Sequence, residues 1–168
     1  MDSQKNESKD AFVELKFGPK WKYISTVRTF IENFTAITIE NKKQASNIAM
    51  AVNELVENAI KYSDHESIEV QVYVSKDEKE INVNVKNHAR QEDVDALNHF
   101  LAEINSLPPL EAYMKRMQES AKLITNKSCI GLARIRYESN TSIECTSNNG
   151  VVIMHATIPV MNSGGKNE

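Results

Sequence analysis

The stretch VNELVENAIKYSDH, from Val52 to His65, combines an apolar helical repeat with a glutamate and an asparagine four positions apart. Successive residues of an α-helix turn about 100° around its axis, so the apolar positions of this segment fall on one stripe, which we expect to face the core. That stripe consists of Ile48, Val52, Leu55, Ala59 and Tyr62. A second stripe, roughly a third of a turn away, consists of Asn47, Glu54, Asn58 and Lys61. The pattern predicts a long central helix with one apolar face and one polar flank.

Glu54 and Asn58 are neighbours on the polar flank because they stand one helical turn apart. They are either two polar residues on a wetted surface or half of a metal–nucleotide site. In the second case Asn58 would give its amide oxygen to Mg²⁺, which prefers oxygen ligands and fills its shell with waters and phosphate oxygens. Glu54 would accept a proton from an attacking hydroxyl or water, and Lys61 would lie near the phosphates. The spacing by itself leaves both alternatives open.

Composition and charge restrict the class of protein. The chain has 168 residues, 40% of them hydrophobic and 26% charged, with a net charge of −3, as in an ordinary soluble domain. Its lysines and arginines are scattered, so we expect no nucleic-acid surface, which needs a basic patch. No apolar run reaches the roughly 18 residues of a membrane span, so we expect no membrane segment. Two cysteines without a CxxC pair fit a reducing cytoplasm.

Hydrophobic periodicity predicts the order of the elements. A strand at residues 12–17 is followed by helices at 23–39 and 42–62, a hairpin at 68–74 and 81–85, helices at 94–104 and 110–124, a short helix after Gly131, and a hairpin at 141–146 and 151–160. Such an order predicts an α+β two-layer sandwich, with a mixed, mostly antiparallel sheet covered on one face by helices. We expect one domain at residues 11–160, between disordered tails at 1–10 and 161–168.

The segment NELVENAIKYS resembles the N box of the GHKL ATPases, the superfamily of gyrase and the histidine kinases. Within that superfamily the chain looks most like the anti-sigma-factor and switch-protein serine kinases, because VELKFGP and Val27-Arg28 precede A-V-x-E-x-x-x-N-A at residues 51–59. The resemblance continues through Ile130-Gly131-Leu132-Ala133 to a final hairpin that ends in Ile158-Pro159. With its helical insert and without the glycine motif, the chain is most similar to SiaB-type regulatory kinases.

The resemblance implies a helix-covered Bergerat ATP-binding fold that uses ATP and Mg²⁺. It places Glu54 at the position of the general base and Asn58 at that of the Mg²⁺ ligand. In this bacterial family a Ser or Thr hydroxyl of a STAS-domain partner attacks the γ-phosphate, and phosphorylation switches which partner is bound. A STAS-domain or sigma-factor-like partner is therefore expected, and a homodimer as well, because related proteins often dimerise.

The chain departs from the family in its glycine motifs. Where the family has D-x-G-x-G, this chain has Asn87 in place of the adenine-reading aspartate, and Ala89 and Gln91 in place of the glycines. The Asn87 amide oxygen can still accept a hydrogen bond from the adenine amino group. Of the later G-x-G motif only Gly131 is present; just before it, Lys127 lies in a segment that either provides donors for phosphate or is a plain loop.

Two functions follow, and the sequence leaves both open. The first is a regulatory ATP-binding protein, a Ser/Thr kinase acting on a STAS-like partner. The second is a pseudo-kinase of the same fold that acts by protein binding with little or no ATP affinity, because the glycines are lost and a helical insert replaces the lid. Within that insert, we expect Tyr113, Met114 and Met117 to pack in the core, with an adaptable partner surface as the alternative. ATP hydrolysis coupled to conformational change fits less well, since the chain shows no transducer domain.

Overall fold

The computed structural model describes residues 11–64, 67–75, 77, 79–122 and 130–161. Both predicted tails lie outside these residues, apart from residue 161, and so does Lys127. In chain order the described elements are β1 (Ala11–Phe17), a 3-10 helix (Trp21–Tyr23), α1 (Ile24–Ile39), α2 (Lys42–Tyr62), β2 (Ile68–Val74), β3 (Glu80–His88), α3 (Gln91–Asn105), α4 (Pro109–Lys122), α5 (Ile130–Glu138), β4 (Ser142–Asn148) and β5 (Val151–Pro159). Among the described helices, none is long and apolar enough to cross a membrane.

The five described strands form one sheet in the order β1-β2-β3-β5-β4. Every adjacent pair in that order is antiparallel. The predicted α+β sandwich is confirmed, and the expected mixed sheet is antiparallel throughout the described pairings. Strand β3 lies in the middle, where Val83 pairs with Val72 of β2 on one side and with Ala156 of β5 on the other. This pairing joins the two predicted hairpins into a single sheet.

One face of the sheet packs against the helices to form the main core. Burial alternates along β2, β3 and β5, because successive strand residues point to opposite faces. The predicted core stripe of α2 meets this face: Ile48, Val52 and Leu55 have no exposed surface, and Ala59 is 3% exposed. The other face carries polar side chains, such as His155, whose Nδ1 lies 2.5 Å from Oδ1 of Asn84. The two-layer arrangement leaves the polar flank of α2 at the edge of the core.

Local sequence signals explain where α2 begins and how the last hairpin turns. The Asn41 side chain accepts a hydrogen bond of 3.1 Å from the backbone N–H of Gln44, which caps the first turn of α2. Asn149 and Gly150 have φ angles of 50° and 80°, as the central residues of a tight hairpin turn require. Both features follow from residue types that the sequence displays.

Helix α4 differs from the sequence-based expectation. Met114 and Met117 are 48% and 45% exposed, so the expectation that they pack in the core is wrong. Tyr113 is half-buried and stacks on Tyr137 of α5, with ring centroids 5.8 Å apart. Helical spacing shows that one face of α4 is apolar, and the structure leaves much of that face exposed.

Candidate functional site

The side chains of Glu54 and Asn58 lie on the half-buried flank of α2, one turn apart. The Asn58 amide nitrogen donates a hydrogen bond of 2.7 Å to the backbone carbonyl of Glu54. This bond fixes the orientation of the amide group. The Asn58 amide oxygen accepts no hydrogen bond from the described residues. It is therefore available to a ligand.

Helix α5 holds the carboxylate of Glu54. Arg134 donates from Nη2 to Oε1 of Glu54 across the gap between the two helices. Gly131, one turn earlier on α5, lies so close that a β-carbon built on it would be 1.7 Å from Oε2 of Glu54. The residue must be a glycine for Glu54 to keep this position. The structure thus brings together Glu54 and Gly131, which the sequence suggested separately, and adds Arg134.

The electrostatic surroundings of Glu54 act in opposite directions. Burial raises the pKa of its carboxyl group most strongly, the positive charge of Arg134 lowers it, and the negative charges of Glu57 and Glu138 raise it again. The net result is a pKa above the ordinary value of 4.5. A carboxylate with a raised pKa binds a proton more readily, which is the property a general base near neutral pH requires.

A small cavity lies beside Asn58, between α2, the end of β3, α3 and β5. Its lining consists of Asn58, Ala59, Tyr62, Asn87, Ala89, Asp93, Val94, Leu97, Val152 and Met154. The cavity volume is about 20 Å³, room for about one water molecule. A purine ring is much larger, so it can enter only if lining side chains move.

Asn87 is the buried polar residue at the end of β3 and is 6% exposed. Its amide nitrogen donates to the backbone carbonyl of His88 at 3.3 Å. The Asn87 amide oxygen accepts no hydrogen bond from the described residues. This residue and Asn58 line the same cavity, and each has an amide oxygen available to a ligand.

Residues at the altered glycine motif close the cavity. Ala89 is 5% exposed and packs with Val94 of α3 and Val152 of β5. Leu97, one turn further along α3, is half-buried against the same cluster. Gln91 is exposed at the start of α3, and its amide nitrogen donates to Asp95 at 2.8 Å. Of the two glycine replacements, Ala89 lines the cavity and Gln91 does not.

The remaining suggested residues have different positions. Lys61 is exposed, with Nζ 5.3 Å from the ring centroid of Tyr62, and it is not part of the cavity lining. Lys127 lies outside the described residues. Sequence reasoning missed Arg134, for which the available signal was a basic residue three positions after Gly131 on a predicted short helix. Among the described residues, no group of three His, Cys, Asp or Glu side chains could hold a metal ion.

Comparison with a family model gives a match for residues 17–110, described as a histidine kinase-like ATPase domain. The matched range covers α1 to α3 and contains Glu54, Asn58 and Asn87. Comparison with curated protein sequences gave no match.

Comparison with solved structures finds similar chains. The SiaB–SiaC complex from Pseudomonas aeruginosa contains a chain with 14% identity and a TM-score of 0.66, and the match covers 88% of this chain and 89% of that one. A histidine kinase domain from Erythrobacter litoralis has 15% identity and a TM-score of 0.43, with 82% and 59% covered. The catalytic domain of histidine kinase ThkA has 17% identity and a TM-score of 0.41, with 88% and 97% covered. At 14% identity, the likeness to the first of these concerns the fold.

Proposed function

The chain belongs to the family of histidine kinase-like ATPase domains, and from that premise we propose that it is a regulatory ATP-binding protein that phosphorylates a Ser or Thr hydroxyl of a partner protein. The observation that carries this proposal is the arrangement on α2. Asn58 lines a cavity and keeps an available amide oxygen, while the neighbouring Glu54 carboxylate is held by α5. A metal ligand and a proton acceptor one turn apart are what phosphoryl transfer from Mg-ATP requires.

The family implies ATP, usually with Mg²⁺; Glu54 and Asn58 fit such a site, and the cavity must open to admit the adenine ring. Asn58 would bind Mg²⁺ through its amide oxygen, and Asn87 would accept a hydrogen bond from the adenine amino group. When bound, Mg²⁺ would neutralise negative charge on the phosphates. Gly131 at the start of α5 would face phosphate, and we propose Lys61 and Lys127 as cations for the phosphates, although Lys127 lies outside the described residues. Glu54 would accept the proton of the attacking hydroxyl.

The closed cavity predicts weak ATP binding. If the protein must first displace Leu97 and its neighbours, the apparent affinity falls by the fraction of molecules that are open. Binding energy from a partner that favours the open state would raise this fraction. A partner could thus control nucleotide binding without touching the nucleotide.

A partner protein is part of the proposal. The structural neighbour from Pseudomonas aeruginosa is a chain of a complex between SiaB and SiaC. For the present protein we propose a STAS-domain or sigma-factor-like partner in the cytoplasm, together with a homodimer. The exposed apolar residues Leu110, Met114 and Met117, at spacings of four and three on α4, support a role of the helical insert in protein contacts.

A second candidate function is protein binding without nucleotide. The observation that favours it is the cavity volume of about 20 Å³, which Ala89 and Leu97 help to fill. In this case Glu54 and Asn58 would be remnants of an ATP site, and the chain would act through its surfaces.

Calorimetric titration with Mg-ATP separates the two functions. We expect the wild type to bind, and Asn58→Ala to lose the dependence of binding on Mg²⁺. Asn53→Ala is the matched control, because Asn53 lies on the same helix, contacts Glu57 at 2.6 Å and does not line the cavity. Absence of binding by the wild type up to millimolar Mg-ATP would overturn the kinase proposal and leave the second candidate.

Phosphoryl transfer needs its own measurement. With γ-labelled ATP and a co-purifying protein, we expect a labelled Ser or Thr in that protein, identified by mass spectrometry. Glu54→Gln should still bind Mg-ATP and lose the label, because an amide cannot accept the proton. Transfer at the wild-type rate by this variant would remove Glu54 from the role of general base.

A further inference from the structure

The two carboxylate oxygens of Glu54 have separate contacts on α5. Oε1 accepts a hydrogen bond from Arg134, and Oε2 lies over Gly131, where no β-carbon would fit. Residues 131 and 134 stand three positions apart and so lie on the same side of the helix. One face of α5 therefore sets both the position and the rotation of the carboxylate.

The Glu54–Arg134 pair is largely enclosed, with side chains 17% and 33% exposed. The Arg134 guanidinium does not satisfy all its donors there. Its Nε is buried without a hydrogen-bond partner, and Oε2 of Glu138 lies 3.8 Å away. A buried ion pair with an unsatisfied donor adds little net stability, because desolvation offsets the attraction between the charges. Stability alone is thus a weak explanation for this contact.

Orientation of Glu54 is a better explanation. A glutamate side chain samples several rotamers when it is not held, and the neighbouring Glu57 and Glu138 would repel its charge. Proton transfer requires the acceptor oxygen within hydrogen-bond reach of the attacking hydroxyl. Arg134 does not line the cavity at Asn58, so it can act on Glu54 without contacting the adenine-binding side of the site.

We infer that Arg134 is a positioning residue for phosphoryl transfer: its guanidinium holds the Glu54 carboxylate in the orientation in which it accepts the proton. This inference rests on the proposed function. With water as acceptor, the water oxygen bonds to the γ-phosphorus, the bond from that phosphorus to the bridging oxygen breaks to leave ADP, and the proton of water passes to Glu54. Arg134 keeps its own protons throughout and changes only the geometry of the acceptor.

The test is the rate of ADP formation from Mg-ATP by the purified chain, with kcat and KM measured separately. In Arg134→Gln we expect kcat to fall about 10- to 100-fold, as a misplacement of about 1 Å does, while KM changes less than about twofold. Arg134→Lys keeps the charge without the planar fork, so it should recover part of the loss. Arg116→Gln is the matched control, because it removes an ion pair of the same type, 2.7 Å to Glu119, away from Glu54.

The outcomes distinguish this inference from the proposed function. No Mg-ATP binding by the wild type overturns the proposed function. Binding without ADP formation leaves ATP binding standing and overturns the role of Arg134. Wild-type turnover with unchanged kcat in Arg134→Gln, or with a change confined to KM, overturns the role of Arg134 alone. If circular dichroism shows that Arg134→Gln is unfolded, Arg134→Met, which keeps the aliphatic stem, replaces it and is judged by the same two quantities.

Discussion

Replacing Gly131 by alanine tests the position of Glu54 directly. The added β-carbon would lie 1.7 Å from Oε2 of Glu54, whereas ordinary contact begins at 3.4 Å. To reach ordinary contact, the oxygen or the start of α5 must therefore move by the difference, which is about 1.7 Å. Since a misplacement of about 1 Å can reduce a rate about 100-fold, we expect Gly131→Ala to lower the kcat of ADP formation at least about 100-fold.

The same substitution should have little effect on folding. Alanine is favoured over glycine inside a helix by up to about 1 kcal/mol, and this gain offsets the weakened ion pair to Arg134. Alanine keeps the backbone N–H that would face phosphate, and Gly131 does not line the cavity, so ATP affinity should stay within about twofold of the wild type, a factor worth about 0.4 kcal/mol. Urea unfolding and calorimetry measure these two quantities beside kcat.

Glu54→Gln provides the background that decides the mechanism. If Gly131→Ala acts through Glu54, it should cause little further loss of kcat in the Glu54→Gln variant, because coupled positions are not additive. Full additivity of the two losses would refute the reasoning, and so would an unchanged kcat in Gly131→Ala alone.

Three further predictions concern the cavity, the last turn and the sheet surface. Leu97→Ala should enlarge the cavity and tighten Mg-ATP binding in calorimetry. Leu101→Ala, on the same helix but outside the lining, should lower the free energy of unfolding by about 2–5 kcal/mol without tightening binding. Equal Mg-ATP affinities of the two variants would contradict this prediction. Gly150→Ala should lower the free energy of unfolding by more than about 1 kcal/mol, because φ is 80° and the β-carbon would lie 2.3 Å from the ring of His88. An unchanged midpoint of urea unfolding would be inconsistent with that strain. Hydrogen bonds from Lys16 and Lys86 lower the pKa of Glu69 below 4.5. The ionised carboxylate therefore stabilises the fold above pH 4.5, and this stabilisation is lost as the pH falls through the folded-state pKa. Glu69→Gln should therefore be less stable than the wild type at pH 7, by at most about 1 kcal/mol, and the gap should close in acid; a pH-independent gap would contradict this.

The sequence predicted the fold well because its strongest signals are local. Alternation at residues 68–74 and 81–85 identified β2 and β3, and Asn149-Gly150 identified the turn of the last hairpin. Such patterns depend on residues only a few positions apart, and each period corresponds to one type of element. The all-antiparallel pairing was less accessible, since strand order depends on contacts between distant segments.

The candidate site was predictable in its residues on α2 and less so in its surroundings. Glu54 and Asn58 stand in one motif, whereas Arg134 contacts Glu54 from 80 positions away. The closing of the cavity by Val94 and Leu97 depends on how α3 packs against Ala89, which a helical repeat does not reveal. The same limit explains Met114 and Met117, because an apolar stripe does not show whether anything covers it.

The central position of β3 has a consequence for the order of folding. Its pairing with β2 closes a short turn, whereas its pairing with β5, for example Val83 with Ala156, closes a long loop, and distant contacts form slowly. We expect the two hairpins to form first and the β3–β5 seam to join them later. Asn87 pairs with Val152 across this seam, so the Asn87 end of the proposed nucleotide site would be among the last parts of the molecule to form. Pulse-labelling hydrogen exchange during refolding would show this as later protection of the β3 and β5 amides that bond to each other than of the amides bonded within each hairpin, and earlier protection of the β3–β5 amides would reverse the order.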